Sequence, residues 1–290
     1  MARAPQPPAW LKLLAEPQVS RTMGRLVRLR PPRRVLQAVI RTFAQTYGVD
    51  LTESERDISD FATFQEFFTR SLRPGLRPVE DAQDVMPAPC DGVVSAFGPL
   101  GRGTLIQAKG VEYSLDALLG GSEDADPYRG GSYAVIYLAP HNYHRVHSPW
   151  LGDIVRWRYV PGALFPVNRL GLQHVHGLFA RNERIVAHCQ TEFGPAALVM
   201  VGATCVGHMR TCFTNLCANE GKPGSGLQQI DHPIAQQRGD EFGVFEMGST
   251  VVLVFARADL HVIGRLPVTV RMGAPMLAIG PAAPHSEGEA

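Results

Sequence analysis

Apolar positions in the N-terminal part of the chain recur with the period of an α-helix. Within residues 33–47 they occur at spacings of three and four, which predicts an amphipathic helix; these positions are Val35, Leu36, Val39, Ile40, Phe43 and Tyr47. Thr63-Phe-Gln-Glu66 has the pattern of a capping box, which predicts a short helix that ends at Arg73-Pro74-Gly75. The sequence therefore begins with short helices.

From about residue 86 the pattern changes to short apolar runs separated by turns, which is typical of strands. The predicted strands are residues 92–97, 104–108, 133–138, 154–159, 184–188, 196–201, 242–246, 250–255, 266–271 and 276–279. Residues 213–240 are polar and contain several glycines, so they are predicted to form a long surface loop. The fold class expected is α+β, with a helical basic region over residues 1–60 and a β-rich catalytic body over residues 61–290.

Charge is distributed unevenly along the chain. Residues 1–41 carry nine Lys or Arg and one acid, for a net charge of +8, whereas the whole chain has a net charge of only +1. Apolar and cationic residues interleave in this arm, as in helices that lie in a membrane interface. Nucleic-acid binding is disfavoured because no binding fingerprint is present. A transit peptide is the other explanation of an Arg-rich, acid-poor start.

The bond between Gly248 and Ser249 precedes the strongly apolar run of residues 250–255. Glycine reaches strained backbone conformations, and the hydroxyl of a following serine lies close to the glycine carbonyl carbon. If a base activates that hydroxyl, the chain can cut itself there. For an isolated Gly-Ser-Thr, a turn that enters a buried strand is the better explanation, so self-cleavage depends on support from the rest of the chain.

Three histidines, His141, His144 and His147, follow the predicted strand 133–138. Their spacing could hold zinc, but no cysteine or carboxylate motif accompanies them, so no metal is expected. Acid-base chemistry is the alternative, because histidine titrates near neutral pH. With Asp91 of the Asp91-Gly92 pair and Ser249, a histidine would complete a proton relay, although Asp-Gly alone is a common turn.

Taken together, these motifs resemble those of bacterial phosphatidylserine decarboxylase proenzymes, which are pyruvoyl enzymes. The similarity extends over about residues 60–280. It is carried by Phe64-Gln-Glu-Phe-Phe-Thr-Arg70, Arg77-Pro78, Asp91-Gly92, Tyr143-His-Arg-Val-His147, Pro161-Gly-Ala-Leu-Phe-Pro-Val-Asn168, Phe179-Ala-Arg-Asn-Glu-Arg184, Glu192-Phe-Gly-Pro195, Val201-Gly-Ala-Thr204 and Gly248-Ser249-Thr250. The chain departs from the family at Met247, where leucine is usual, and at Cys90, where alanine is usual. Both changes keep an apolar side chain.

The resemblance implies that the proenzyme cleaves itself between Gly248 and Ser249 into a β chain of residues 1–248 and an α chain of residues 249–290. Asp91, His147 and Ser249 would form the maturation triad. Ser249 would become a covalent pyruvoyl group that forms a Schiff base with phosphatidylserine, so that CO₂ is lost and phosphatidylethanolamine remains. His144 would protonate the carbon that lost CO₂.

The partners that the resemblance implies are phosphatidylserine, an anionic membrane surface and the two chains of one precursor, with a homodimer of αβ units left open. The expected location is peripheral, on the cytoplasmic face of the cell inner membrane. Arg145 and Arg181 are candidates for binding the phosphodiester, and a surface salt bridge is an equally good explanation of either. Phe67, Phe68 and Phe165 could line an acyl-chain groove, but core packing is the simpler explanation.

Two other functions fit parts of the pattern. One is a pyruvoyl-dependent decarboxylase of a soluble amino acid, which the amphipathic cationic arm disfavours because such a substrate needs no membrane. The other is a membrane-bound autoproteolytic protein, or a binding module, without decarboxylase activity. A self-cleaving protein would show two chains where a binding module shows one.

Overall fold

The structure is a computed structural model, and it describes residues 7–101, 104–107, 111–204, 208–215, 218, 227–246 and 249–280. Its helices are α1 (Ala9–Leu14), α2 (Pro17–Val27), α3 (Arg33–Tyr47), α4 (Phe64–Phe68), α5 (Leu115–Leu119), α6 (Ser122–Ala125), α7 (Arg169–His174) and α8 (Leu178–Arg181). None of the helices in these ranges has the length and apolar character needed to cross a bilayer.

The strands follow mainly in the second part of the chain. They are β1 (Val85–Pro87), β2 (Gly92–Pro99), β3 (Thr104–Gln107), β4 (Val111–Ser114), β5 (Ser132–Leu138), β6 (Arg145–His147), β7 (Gly152–Val160), β8 (Arg184–Thr191), β9 (Gly194–Val201), β10 (Met209–Thr211), β11 (Leu227–Gln236), β12 (Glu241–Phe245), β13 (Ser249–Phe255), β14 (Leu260–Val262), β15 (Val268–Val270) and β16 (Pro275–Ile279). Helices at the start and antiparallel sheets in the body confirm the expected α+β class.

An eight-stranded antiparallel sheet forms the body, in the order β11-β7-β8-β9-β13-β5-β2-β15. Strand β13 lies between β9 and β5, and its residues from Thr250 to Phe255 are buried. A continuous β-branched run suits this place, because a central strand covered on both faces has no solvent side. Three smaller sheets have the orders β1-β16-β14, β10-β12-β6 and β3-β4.

Strand β11 corrects the prediction that residues 213–240 form a surface loop. Residues 227–236 of that segment pair with β7 at the edge of the main sheet. Most of the side chains of β11 are exposed, so its sequence lacks the apolar alternation of a half-buried strand. Its pairing is irregular between Gln229 and Ile234, where Pro233 removes a backbone donor, as is tolerated at an edge. Residues 216–217 and 219–226 of the segment lie outside the described residues.

Of the two helices that the sequence predicts in the N-terminal part, the first is confirmed, and the second begins as predicted but ends at Phe68 rather than at Arg73-Pro74-Gly75. Helix α3 spans residues 33–47, and Gly48 ends it in the left-handed conformation at φ 73°. At α4 the Thr63 hydroxyl accepts a hydrogen bond from the Glu66 N–H, as the capping box requires. Leu36 and Ile40 of α3 pack with Phe61 and Phe67 in a small second core.

Helix α1 packs into the main core. Leu11 is fully buried there, and the Leu164 N–H donates to the Ala15 carbonyl 3.1 Å away. Helix α3 instead belongs to the second core. The proposed division near residue 60 therefore stays a prediction, but the first helix is a structural part of the β-rich body.

Candidate active site

The loop 139–147 and the strand that begins at Ser249 meet at one end of the main sheet. Ser249 pairs with Leu138, the last residue of β5, and the loop begins at the next residue. Strand β6 then pairs with β12, and the Phe245 N–H donates to the His144 carbonyl at 3.0 Å. The predicted cleavage bond is thus preceded by β12, which contacts both histidines, and followed by β13, which pairs with the strand that leads into their loop. Met247 and Gly248 lie outside the described residues, and of Ser249 only the backbone is described.

His144 is completely buried. Its Nδ1 lies 2.8 Å from the Asn142 carbonyl oxygen, which can only accept, so a neutral ring carries its proton on Nδ1. Its Nε2 then presents a lone pair, and no hydrogen-bond partner for that atom occurs among the described residues. Burial, with a smaller contribution from the positive charge of Arg70, lowers the pKa of His144 to about 3. The ring packs on Phe68, with centroids 4.0 Å apart. The free Nε2 is suited to exchange a proton with a bound substrate.

His147 has partners at both ring nitrogens. Its Nδ1 lies 2.7 Å from the Gly239 carbonyl oxygen, and its Nε2 lies 3.0 Å from the Tyr143 hydroxyl. The imidazole also stacks on the Tyr143 ring. The carbonyl fixes the proton on Nδ1, so the Tyr143 hydroxyl donates to Nε2. Burial lowers the pKa of His147 as well, which favours the neutral imidazole that a general base requires.

Asp91 is held by a cation. Arg77 donates to both of its carboxylate oxygens, at 2.9 and 2.7 Å, and the Met272 N–H donates to Oδ1 at 2.8 Å. Arg77 also binds Glu53 at 2.7 Å. Burial alone would lower the pKa of Arg77, but its bonds to the two carboxylates raise it. In the described structure Asp91 and His147 share no hydrogen bond: the Gly239 carbonyl holds the ring nitrogen that a triad aspartate would hold.

A backbone contact nevertheless links the two residues, since the His147 N–H donates to the Pro89 carbonyl at 2.7 Å. The negative charge of Asp91 also acts on the ring and favours its protonated form. Sequence reasoning missed four contributors to this arrangement: Glu53, Arg77, Tyr143 and Gly239. Arg77 lies in a family motif and could have been suspected as a partner for a carboxylate. Nothing in the pattern around Glu53 or Gly239 marks them.

Glu246 anchors the segment that leads to the cleavage bond. It is buried and forms ion pairs with Arg28 at 2.8 Å and with Arg210 at 3.2 Å. Its N–H donates to the His208 carbonyl at 3.0 Å. Because Ser249 on the other side is fixed in the main sheet, both flanks of Met247-Gly248 are held. Arg28 directly follows α2, so the N-terminal arm takes part in this anchoring.

The remaining predicted residues have mixed placements. His141 is exposed, and within the described ranges no group of His, Cys, Asp or Glu is arranged to hold a metal. Phe67, Phe68 and Phe165 are buried in the two cores or at their edges, as core packing predicts. The guanidinium carbon of Arg181 lies 5.0 Å from the centroid of the Phe165 ring. Arg145 is the residue after His144 in the chain.

Comparison with known proteins gives one consistent result. The family model described as phosphatidylserine decarboxylase matches residues 64–278. The chain is 45% identical to the phosphatidylserine decarboxylase proenzyme of Anaeromyxobacter sp. (strain K) over 278 residues, covering 92% of this chain and 95% of that protein. Proteins of the same name from Myxococcus xanthus and Acidovorax ebreus are 42% and 47% identical, over 84% and 86% of this chain and 87% and 88% of theirs.

Proposed function

Because the chain belongs to the phosphatidylserine decarboxylase family, we propose that it is a carboxy-lyase that converts phosphatidylserine to phosphatidylethanolamine and CO₂ by means of a pyruvoyl group made from its own Ser249. One observation of the site carries this proposal. The buried Nε2 of His144 has no hydrogen-bond partner among the described residues, and its loop borders the strand that starts at Ser249. A buried polar atom without a partner is expected where a ligand supplies one.

Maturation requires the Ser249 hydroxyl to attack the Gly248 carbonyl carbon, so that the peptide becomes an ester on the serine oxygen. Loss of the Ser249 α-proton then expels the Gly248 carboxylate and leaves a dehydroalanine end. Water replaces its nitrogen, ammonia leaves, and the pyruvoyl end remains. His147 is the proposed base. The Tyr143 hydroxyl, which donates to Nε2, either turns away or passes the proton on.

Asp91 is proposed to assist His147 through charge. As His147 takes the serine proton it becomes an imidazolium, and a nearby carboxylate stabilises that cation. Arg77 and the Met272 N–H hold the Asp91 carboxylate in a fixed position. The Gly239 carbonyl accepts from Nδ1 and sets the orientation of the ring. In many triads one aspartate both orients the histidine and stabilises its positive charge. Here the Gly239 carbonyl would orient the ring and Asp91 would stabilise the charge.

In turnover the pyruvoyl group would supply a carbonyl that accepts the electron pair left when CO₂ departs. The proposed task of His144 is proton transfer. Once Nε2 is protonated, the low pKa that burial gives this imidazole makes it a strong acid toward the carbon that lost CO₂. Burial beside Phe68 excludes water, which would otherwise compete as proton source.

The proposed site of action is the surface of an anionic membrane, on the cytoplasmic face of the cell inner membrane. The N-terminal helices and the turns between them expose large apolar side chains on a strongly basic segment: Trp10, Leu13, Leu14, Leu26, Leu29, Val35 and Val39. Such a combination is expected of an interfacial anchor. A decarboxylase of a soluble amino acid would have no use for it.

Intact-mass measurement of the purified protein tests the proposal. Two chains are expected, and the smaller should correspond to residues 249–290 with a pyruvoyl end, which blocks N-terminal sequencing. Ser249→Ala should give one uncut chain, while Thr250→Ser, a neighbouring hydroxyl change, should still be cut. A normally cleaved Ser249→Ala protein would refute the assignment of the nucleophile.

A further inference from the structure

Arg70 carries a positive charge that nothing in the described structure neutralises directly. It follows α4 by two residues and is only 5% exposed. Its Nε is buried without a hydrogen-bond partner, and none of the ion pairs among the described residues includes its guanidinium. Its guanidinium carbon lies 5.2 Å from the centroid of the Phe67 ring.

Such a side chain is costly unless something binds to it. Burial lowers the pKa of Arg70, yet a guanidinium keeps its proton at neutral pH, so the charge persists. Removing an ion from water without a partner is strongly unfavourable. The two carboxylates whose charges reach it, Glu53 and Asp91, are both bound to Arg77. Arg70 is therefore suited to bind an anion from outside the chain.

A small pocket is present at this position. It has a volume of about 140 Å³, and its lining residues include three arginines, Arg56, Arg70 and Arg145, and one acidic residue, Glu66. Thr69 and Ser71 also line the pocket, and the Thr69 hydroxyl donates to the Gln65 carbonyl at 3.0 Å. Planar guanidinium forks and hydroxyl donors around a compact space are the usual surroundings of a bound phosphate group.

Arg145 is already oriented by the protein. Its Nε donates to the Thr69 carbonyl at 3.1 Å and its Nη1 binds Glu241 at 2.6 Å. These two bonds fix the plane of the guanidinium and leave Nη2 for a ligand. Arg145 is thus held in place before a ligand binds, and binding costs less side-chain entropy as a result.

The pocket adjoins the proposed proton-transfer residue. Arg145 follows His144 in the chain, and Phe68, two residues before Arg70, packs on the His144 ring. The charge of Arg70 is also felt at His144. In phosphatidylserine only one carbon and one oxygen separate the reacting carbon from phosphorus. A phosphodiester in the pocket would therefore leave the amino acid end of the lipid near His144.

We propose that Arg70 and Arg145 bind the phosphodiester of the lipid substrate. This inference rests on the proposed function, since it names the part of phosphatidylserine that the pocket holds. The substrate carboxylate is the other anion that two arginines could bind. A cation there would stabilise the ground state against loss of CO₂ and would slow the reaction, so the phosphodiester is the better occupant.

The product distinguishes the two anions, because phosphatidylethanolamine keeps the phosphodiester and lacks the carboxylate. Binding is measured on uncut Ser249→Ala protein with phosphatidylethanolamine in nonionic mixed micelles. Adding Arg70→Gln should weaken binding by about ten- to a hundredfold, as expected for a lost charge-assisted bond. Diacylglycerol in the same micelles should bind both proteins equally. Arg265→Gln removes an exposed arginine and should change nothing.

In mature enzyme, Arg70→Gln should still be cleaved. Its KM for phosphatidylserine and its inhibition constant for phosphatidylethanolamine should rise by similar factors. Both constants of Arg70→Lys should lie between those of Arg70→Gln and those of the unchanged enzyme. Weaker phosphatidylserine binding with unchanged phosphatidylethanolamine binding would move Arg70 to the carboxylate and overturn the proposal. If Arg70→Gln does not fold, Arg145→Gln carries the test, and unchanged product binding there overturns it.

The binding measurement and the activity measurement test the phosphodiester pocket and the decarboxylase function separately. The binding measurement on Ser249→Ala protein requires neither cleavage nor turnover. A protein that binds phosphatidylethanolamine through Arg70 but releases no CO₂ when mature would refute the decarboxylase function alone. A protein that releases CO₂ but binds the product equally well without Arg70 would refute the phosphodiester pocket alone.

Discussion

His144 and His147 lie three residues apart, yet their rings meet different surroundings. Both donate from Nδ1 to a backbone carbonyl, of Asn142 and of Gly239, so both present Nε2 as a lone pair. In His144 that lone pair has no partner among the residues the structure describes, and in His147 it accepts a hydrogen bond from the Tyr143 hydroxyl. The first can meet a ligand that arrives, whereas the second is better placed for a proton transfer within the chain.

Substitution of each histidine should therefore block a different step. His147→Ala and Asp91→Ala should accumulate uncut chain, since each weakens the base that activates Ser249. His144→Ala should be cut into both chains but should release little CO₂ from phosphatidylserine, a loss of about a hundredfold or more. Gel analysis reports the first step and CO₂ release the second. An uncut His144→Ala protein beside a normally processed His147→Ala protein would reverse the assignment, and full activity in both would remove this loop from the mechanism.

Burial of His144 also predicts how stability depends on pH. Its pKa is about 3 in the folded protein and near 6.5 when unfolded, so below pH 6.5 only the unfolded state takes up the proton. The free energy of unfolding should fall on acidification by about 1.4 kcal/mol per pH unit for this group, and should not change through it above pH 7. The pKa values of His147 and His188 are lowered too, so they add to the trend.

Urea unfolding of Ser249→Ala protein between pH 7 and pH 5 measures this slope. Adding His144→Gln should reduce it by about one proton per molecule. His232→Gln, which changes an exposed histidine of β11, is the matched control and should leave the slope as it was. An equal slope with and without His144 would show that this ring takes up its proton in the folded protein as well.

At the scale of elements, local patterns predicted what local forces determine. Helix α3 and the capping box of α4 depend on residues within a few positions, and both were found. Buried strands such as β5, β9 and β13 can be predicted from their continuous apolar runs. Edge strand β11 does not, because its partner supplies the hydrogen bonds and solvent covers its side chains. The same limit applies to the site: spacing suggested His144 and His147, but the Gly239 carbonyl comes from a distant turn.

The N-terminal helices make a prediction about the membrane. Leu13, Leu26 and Leu29 are each more than half exposed on the basic arm. Changing all three to glutamate should lower sedimentation with vesicles rich in phosphatidylglycerol by about tenfold or more, because each apolar contact is lost. Cleavage should persist. Leu170→Glu in α7, where the leucine is 47% exposed, is the control. Unchanged sedimentation of the triple variant would rule out this arm as the anchor.

Deletion of residues 1–32 should also release the protein from vesicles, as the charge of the arm suggests, and 1 M salt should weaken the attraction because screening then acts within about 3 Å. The structure makes deletion the coarser experiment. It removes Leu11 from the main core and Arg28 from Glu246 along with the exposed leucines. Point substitutions leave these contacts intact, and so report on the membrane alone.

At the scale of the whole molecule, the cleavage bond precedes a strand in the middle of the main sheet. The segment after the cut supplies β13, which lies between β9 and β5, and β15, which pairs with β2. It also supplies β16, which pairs with β1 in another sheet. Cutting one peptide bond therefore leaves the strands of the small chain hydrogen-bonded on several sides to strands of the large one.

Before the cut, unfolding should therefore give one unfolded chain, and after the cut it should give two separate chains. Uncut Ser249→Ala protein should have a urea midpoint that does not depend on protein concentration. Mature protein should gain about 1.4 kcal/mol of apparent stability for each tenfold rise in concentration, as for any two-chain assembly. Denaturation of both at two concentrations tests this. Midpoints that are equally insensitive would mean that the chains remain joined.

The central place of β13 also makes maturation a one-way event for the fold. Before the cut, a chain that unfolds retains its own strand at high effective concentration and can recover it. Afterwards the two pieces must find each other by diffusion, and each meanwhile exposes apolar strand edges that favour aggregation. The enzyme thus inherits from its precursor an assembly that it is poorly able to rebuild, and its lifetime is governed by how slowly the sheet first opens.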